Sequence, residues 1–366
     1  VRYAGRTVDG LPNSSDPYEA ERQWWAGAEQ SSSCYPLQLE GFTYACDTHL
    51  LASGRELFDT PLGRDHPAHR QLLHRRFFSK HPGMVSITPY GVDAFTRCRF
   101  TWVCSFLLDL QELEGDPVFL DPRDEGNLIH ECLHRFFSEA VGLNKPFAKD
   151  QEETYRSRME EVIEAVLSEG SRSRPWLIPG VRHQLSLRLS SQLGTCIQQE
   201  LQRFDGWICS LLEESMEIRR PEQGWRASGR VNRVSRDPEE RRGAIIDYKR
   251  SRPKGSNYLG EDTPPPSWQL PFYALLLGEE DLAAACFYAV RDGSYLPALD
   301  TLKLFPRSRK RITDLQQFLR LLEELTDIMD RMAVSIQEGD YRDRPAVTGC
   351  SDCRDRMLCR RRYHVR

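Results

Sequence analysis

Between residues 214 and 251 the sequence changes its period. The stretch before it, residues 151–215, carries long helical patterns. Then "ESMEIRRP", "GWRASGRVNRVSRD" and "RGAIIDYKRS" follow one another, separated by turn-forming residues. Short β-type runs parted by turns predict an antiparallel set of three strands. After them "PPPSWQLPFYALLLG" reads as a helix with Ser267 as its cap and Pro271 in its first turn, where a missing N–H costs nothing. "LAAACFYAV" and "LPALDTLKLF" read as further strands. A last helix, "TDLQQFLRLLEELTDIMDRMAVSIQEG", sets Leu315, Phe318, Leu322, Leu325, Met329 and Met332 on one face. Strands enclosed by helices on both sides in sequence predict an α/β fold with a mixed central sheet flanked by helices.

Upstream, "ITPYGVDAFTRCRFTWVCSFLLDL" predicts a helix capped by Thr88 with Pro89 at its first position. Cys98 and Cys104 are expected on that same helix. A second helix, "EGNLIHECLHRFFSEAVGL", puts Leu128, Leu133, Phe136 and Phe137 on one side. Residues 1–85 read as irregular, with weak helical patches in "DPYEAERQWWAGAEQ" and "PAHRQLLHRRFFSK". A boundary is expected near Pro82-Gly83, giving an N-terminal segment 1–85 and a main domain 86–366. With 366 residues the chain has room for both.

No uninterrupted apolar run reaches the ~18 residues that a membrane helix needs, and the start lacks the basic-then-apolar pattern of a signal peptide. A cytoplasmic protein is expected. The chain begins at Val1 rather than Met, as a fragment of something longer would. A net charge of −4 gives no global attraction to nucleic acid; the basic runs "PRSRKR" and "RDRMLCRRRYHVR" read first as solvated surface. Eleven cysteines, an odd count, argue against a disulfide framework. Most sit in apolar surroundings as small core residues. Cys350, Cys353 and Cys359 instead form a tight cluster, suited as thiolates to iron–sulphur or zinc.

The chemistry gathers in "GAIIDYKRS". Side chains at i and i+2 of a strand share a face, so Asp247 and Lys249 stand side by side as an apolar strand ends. A carboxylate is a hard ligand for Mg²⁺, and an ammonium beside it can stabilise charge on a phosphate. A surface ion pair explains the same spacing. Gln269 and Tyr273, at i and i+4, share a helix face. His130, Glu131 and His134 match the His-Glu-x-x-His zinc pattern, for which no third ligand is evident.

Taken in order, these segments resemble the PD-(D/E)xK nuclease superfamily in its RecB/AddB-like branch. Gly229–Val234 is similar to a strand of the type Gly-x-Ile-Asp-Arg-x. Asp247-Tyr248-Lys249 is similar to the following Asp-Tyr-Lys, and Gln269 and Tyr273 to the Gln-x-x-x-Tyr helix. Gly126 to His130 resembles Gly-x-x-x-His, and Thr88 to Cys98 resembles Ser-Pro-Ser-x-x-x-x-Phe-x-x-Cys. The tail resembles the Cys-x2-Cys-x5-Cys of iron–sulphur members.

The resemblance implies a restriction-endonuclease-like core with helical insertions. It implies a deoxyribonuclease using Mg²⁺ or Mn²⁺ on single-stranded DNA, beside a helicase subunit or domain in DNA repair. His130, Asn232, Asp247 and the Tyr248 carbonyl would hold metal. Lys249 would assist catalysis, while Gln269 and Tyr273 support the strand. Cys98, Cys350, Cys353 and Cys359 would hold a [4Fe–4S] cluster, with zinc as the rival.

Asn232 departs from this pattern, standing where the family has Asp. An amide oxygen can ligate but brings no charge, so a weaker site is expected. A retired nuclease, an inactivating substitution, or a site that recruits another acid all fit, with Asp237 and Glu217 near in sequence. A non-catalytic DNA-binding or scaffold domain is the alternative function.

Overall fold

The computed structural model describes residues 2–3, 6–7, 38–39, 42–43, 65–110, 122–173, 178–239, 242–252, 267–278, 282–305, 314–342 and 353. Two small ladders, β1 (Arg2–Tyr3) with β2 (Arg6–Thr7) and β3 (Gln38–Leu39) with β4 (Phe42–Thr43), lie near the N-terminus. The "DPYEAERQWWAGAEQ" patch and both basic runs lie outside the described residues.

The main sheet is mixed, in the order β10 (Ser294–Asp300), β9 (Leu282–Ala289), β8 (Gly243–Lys249), β7 (Trp225–Arg236), β5 (Val85–Ile87), with β6 (Ile208–Arg220) also paired to β7. The expected antiparallel trio is β6, β7 and β8. β8 and β9 run parallel. Every residue of β9 is buried, because helices cover both faces of the sheet there.

Strand alternation divides the core. Ile245, Ala285 and Phe287 face a cluster built with α2 (Pro89–Arg97), α7 (Gln269–Leu277) and α8 (Leu315–Glu338). Ile246, Tyr248, Cys286 and Tyr288 face the opposite cluster, filled by α4 (Pro122–Arg135), α5 (Glu152–Ser173) and α6 (Pro179–Arg203). Leu73 and Phe77, on and just after α1 (Pro67–Leu73), join the first cluster beside Val85 and Ile87. Among the described residues no helix is long and apolar enough to cross a membrane.

Four local expectations need correction. The helix from Thr88 breaks at Cys98, which takes an extended conformation, and α3 (Arg99–Trp102) restarts after it before a wider π turn over Val103–Leu107. Cys98 and Cys104 therefore do not share one helix. The helical reading of 151–215 overruns, since β6 begins at Ile208. The strand expected to end at Phe305 stops at Asp300, whose carboxylate accepts the Leu304 and Phe305 amides and turns the chain. Finally, Trp268 rather than Ser267 stands at the cap of α7, and Ser267 Oγ accepts the Gln269 amide at 3.2 Å from one residue earlier. Asp93 accepts the Trp268 amide at 2.6 Å and the Ser267 hydroxyl at 2.8 Å, tying α2 to α7. Thr88 caps α2 as expected, accepting the Gly91 amide at 3.1 Å.

Candidate active site

β7 is the strand on which the site is organised. One of its edges carries β6 from end to end. On the other edge β5 pairs with Trp225–Ala227 and β8 pairs with Arg233–Arg236. Residues 228–232 have no ladder partner on that side among the described residues. Since β5 runs parallel to β7 and β8 antiparallel, the C-terminal ends of β5 and β8 point toward this gap from opposite directions. A cavity of about 580 Å³ opens there. α7 crosses close behind it, because Gly229 has no side chain: a Cβ would stand 3.1 Å from both Tyr273 and Leu276.

His130, Asn232, Asp247, Lys249, Gln269 and Tyr273 all line this cavity. The imidazole comes from α4, the amide from β7, the acid and amine from the end of β8, and the Gln–Tyr pair from the first turns of α7. Asp247 is buried. Its Oδ1 accepts from Gln269 Nε2 at 3.1 Å, and Gln269 is held in turn by Tyr273 Oη at 2.7 Å. Asp247 Oδ2 faces Lys249 Nζ at 2.7 Å, yet it accepts no well-aligned hydrogen bond. Burial works against charge on Lys249, but Asp247, with Tyr90, more than offsets it and holds the pKa above the ordinary lysine value. Lys249 is therefore an ammonium at neutral pH. Burial, with the Asp247 charge, pushes Tyr273 well above the ordinary phenol range, so its hydroxyl keeps its proton.

Tyr248 sits differently. Its ring lies on the far face of the sheet, buried against Phe137 and Tyr288, with its hydroxyl 3.4 Å from Glu200. Only its backbone belongs to the gap, where the Tyr248 amide donates to Asn232 Oδ1 at 3.0 Å. The β7–β8 ladder stops at Arg233 and Ile246. Asn232 thus substitutes its side chain for a ladder carbonyl just where the strands part.

Glu213 is among the cavity residues that sequence reasoning did not single out. Glu213 lies on β6 between the pairs Leu212–Arg233 and Glu214–Val231, which sets it across from Asn232. Its φ of 47° is left-handed, an uncommon conformation for a residue with a side chain. Its carboxylate meets His130 Nδ1 at 3.2 Å and Arg230 Nε at 3.0 Å. Of the acids near in sequence, Glu217 pairs with Arg219 and Arg226, and Asp237 accepts the Glu239 amide in a turn. Neither lines the cavity.

The donor set suits a hard divalent cation that keeps part of its water. Asp247 Oδ2 is a buried carboxylate oxygen that faces the cavity beside Lys249, and the Glu213 contact at Nδ1 leaves Nε2 as the remaining nitrogen of His130. Among the described residues no three His, Cys, Asp or Glu side chains gather closely enough to cage an ion. Mg²⁺ does not require such a cage, being held by one or two carboxylates with waters and phosphate oxygens completing the shell. The zinc-peptidase arrangement fares worse: Glu131 is bound to Arg135 at 2.8 Å, and a third protein ligand is missing among the described residues.

Outside the cavity lining, Cys353 Sγ lies 3.9 Å from Thr101 Oγ1, three residues beyond Cys98. Cys350 and Cys359 lie outside the described residues.

A family model described as the PD-(D/E)XK nuclease superfamily matches residues 86–360. The chain is also 30% identical over 155 residues to an uncharacterized protein of Treponema pallidum (strain Nichols). That stretch covers 42% of this chain and 19% of the treponemal protein.

Proposed function

The chain belongs to the PD-(D/E)XK nuclease superfamily, and on that premise we propose that it hydrolyses DNA phosphodiesters with Mg²⁺ or Mn²⁺, acting on a single strand. The observation that carries this reading is the meeting of His130, Asp247 and Lys249 in one cavity at the sheet gap. Asp247 and His130 hold the divalent ion, with the Asn232 amide and the Tyr248 carbonyl as lesser oxygens. When bound, the ion supplies Lewis acidity toward the scissile phosphate and the attacking water. Lys249, kept as an ammonium, stabilises the charge that grows on the phosphate oxygens. Gln269 fixes the carboxylate through Oδ1, and Tyr273 fixes Gln269.

Residues 86–366 form the nuclease domain in this reading; Leu73, Phe77 and Val85 pack into its core, so the stretch from Pro67 belongs with it rather than with a preceding domain. A helicase partner, in the same chain or another, feeds the strand to the site in the cytoplasm during repair or recombination. The treponemal relative, of which the shared stretch is 19%, supports a place within a longer polypeptide. Cys98, Cys350, Cys353 and Cys359 hold a [4Fe–4S] cluster that staples the C-terminal tail to the α2–α3 break. The contact of Cys353 with Thr101 supports that closure. A brown preparation absorbing near ~400 nm is expected; a colourless, zinc-containing one prepared without oxygen would replace the cluster with zinc.

A second reading, a DNA-binding scaffold without catalysis, draws on Asn232, whose oxygen is engaged by the Tyr248 amide. The two are separated by single-stranded DNA digestion with Mg²⁺ and Mn²⁺, comparing the parent, Asn232→Asp and Asp247→Asn. Cleavage by the parent that Asp247→Asn abolishes supports the nuclease. Cleavage by Asn232→Asp alone marks a nuclease disabled at one position. Silence in all three leaves the scaffold.

A further inference from the structure

We propose that Glu213 supplies the metal pocket with the negative charge that Asn232 lacks. The inference rests on the metal-binding reading of the cavity and deepens it. Three independent features of Glu213 converge. The β6–β7 register sets it across from Asn232, so a carboxylate stands beside the amide that replaces one. Its backbone is left-handed at φ 47°, in the middle of a strand whose neighbours on either side pair regularly. Strain of this kind persists where the surroundings hold it and collects at functional sites. Its side chain is almost wholly buried and lines the cavity.

The hydrogen bonding shows how Glu213 acts. Its Oε1 lies 3.2 Å from His130 Nδ1, so the carboxylate accepts from that nitrogen and Nε2 is the ring nitrogen left for a cation. A carboxylate in that position makes the imidazole a better ligand and fixes its orientation. Glu213 is thus a positioning residue, working through His130, and its charge also falls on the pocket itself. Arg230, which is largely exposed, contacts the other oxygen at 3.0 Å and offsets part of that charge. Arg230 therefore tunes the site downward.

The test is Mn²⁺ binding to the full chain, followed by calorimetry and by the electron paramagnetic resonance of free Mn²⁺, with no substrate and no turnover. Glu213→Gln keeps the size of the side chain and removes its charge. It is expected to weaken Mn²⁺ binding about 10-fold or more. Asn232→Asp in the Glu213→Gln background returns the charge from across the strand pair and is expected to restore most of the affinity. Arg230→Gln, at an exposed position, is expected to tighten binding several-fold and serves if Glu213→Gln folds poorly. Unchanged affinity in Glu213→Gln, no restoration by Asn232→Asp, or weaker binding in Arg230→Gln overturns the proposal. Asp247→Asn distinguishes the two levels. If it abolishes binding while Glu213→Gln does not alter it, only the role of Glu213 falls. If the parent binds no Mn²⁺, the metal reading falls and takes this proposal with it.

Discussion

Asp247 Oδ2 lies 2.7 Å from Lys249 Nζ, and the two side chains leave the same face of β8 two residues apart. The acid is buried and the amine about one-fifth exposed. Gln269 holds the other carboxylate oxygen, so the acid has one oxygen locked by the protein and one shared with an ammonium. The pair sits where β8 leaves its ladder with β7, which keeps it at the sheet margin and open to the cavity.

Removing Lys249 is therefore expected to affect stability and catalysis differently. Lys249→Met is expected to lower cleavage by about 10²–10³-fold, as loss of one preorganised donor does. It also leaves Asp247 buried without its counter-charge, so urea denaturation is expected to show a less stable protein. The double variant with Asp247→Asn should regain stability but not activity, because the unpaired charge is gone.

Gly229→Ala tests the closeness of α7. The added methyl meets Tyr273 and Leu276, both buried, at 3.1 Å. Overpacking of this kind costs about 1–3 kcal/mol. Because Tyr273 Oη positions Gln269, cleavage is expected to fall as well, whereas a substitution at the open Gly126 position should leave cleavage nearly unchanged.

On the far face of the sheet, Arg233 is fully buried, paired with Glu200 and stacked 4.2 Å from the Phe137 ring centre. Arg233→Met strands the Glu200 carboxylate and is expected to cost about 3–5 kcal/mol. Adding Glu200→Leu should recover much of the loss, since an apolar pair of similar volume often matches a buried ion pair. Chemical denaturation of the two variants and the double measures this.

His69 predicts a pH dependence of stability. Burial, with nearby His66, lowers its pKa from the ordinary 6.5 to about 4, and its Nε2 lies 2.8 Å from Tyr341 Oη. The unfolded chain binds this proton more readily than the folded one. The contribution is therefore complete above pH 6.5 and is lost as pH falls through 4, amounting to about 2–4 kcal/mol. Melting curves across that window should fall less steeply for His69→Gln than for the parent.

Much of the site was legible in the sequence because its spacings are local. The i, i+2 relation of Asp247 and Lys249 and the i, i+4 relation of Gln269 and Tyr273 survive folding unchanged. His130 was legible through its order relative to those segments rather than through its own surroundings. Glu213 was not, for two physical reasons. It lies in a stretch whose apolar spacing reads as helix, although β6 begins at Ile208. Its left-handed φ is imposed by tertiary contacts and leaves no mark in composition. β5 was missed because three residues carry too little pattern, and its partner lies far along the chain at Trp225–Ala227. The break at Cys98 likewise interrupts apolar spacing that runs on without a proline or glycine.

The most direct test of the account is an anomalous difference map from a crystal of this chain soaked in Mn²⁺. The account predicts a peak in the gap beside β7, within about 2.0–2.3 Å of an Asp247 carboxylate oxygen and at ligand distance from His130 Nε2. A peak bound elsewhere, with Asp247 still turned only to Lys249 and Gln269, would contradict it.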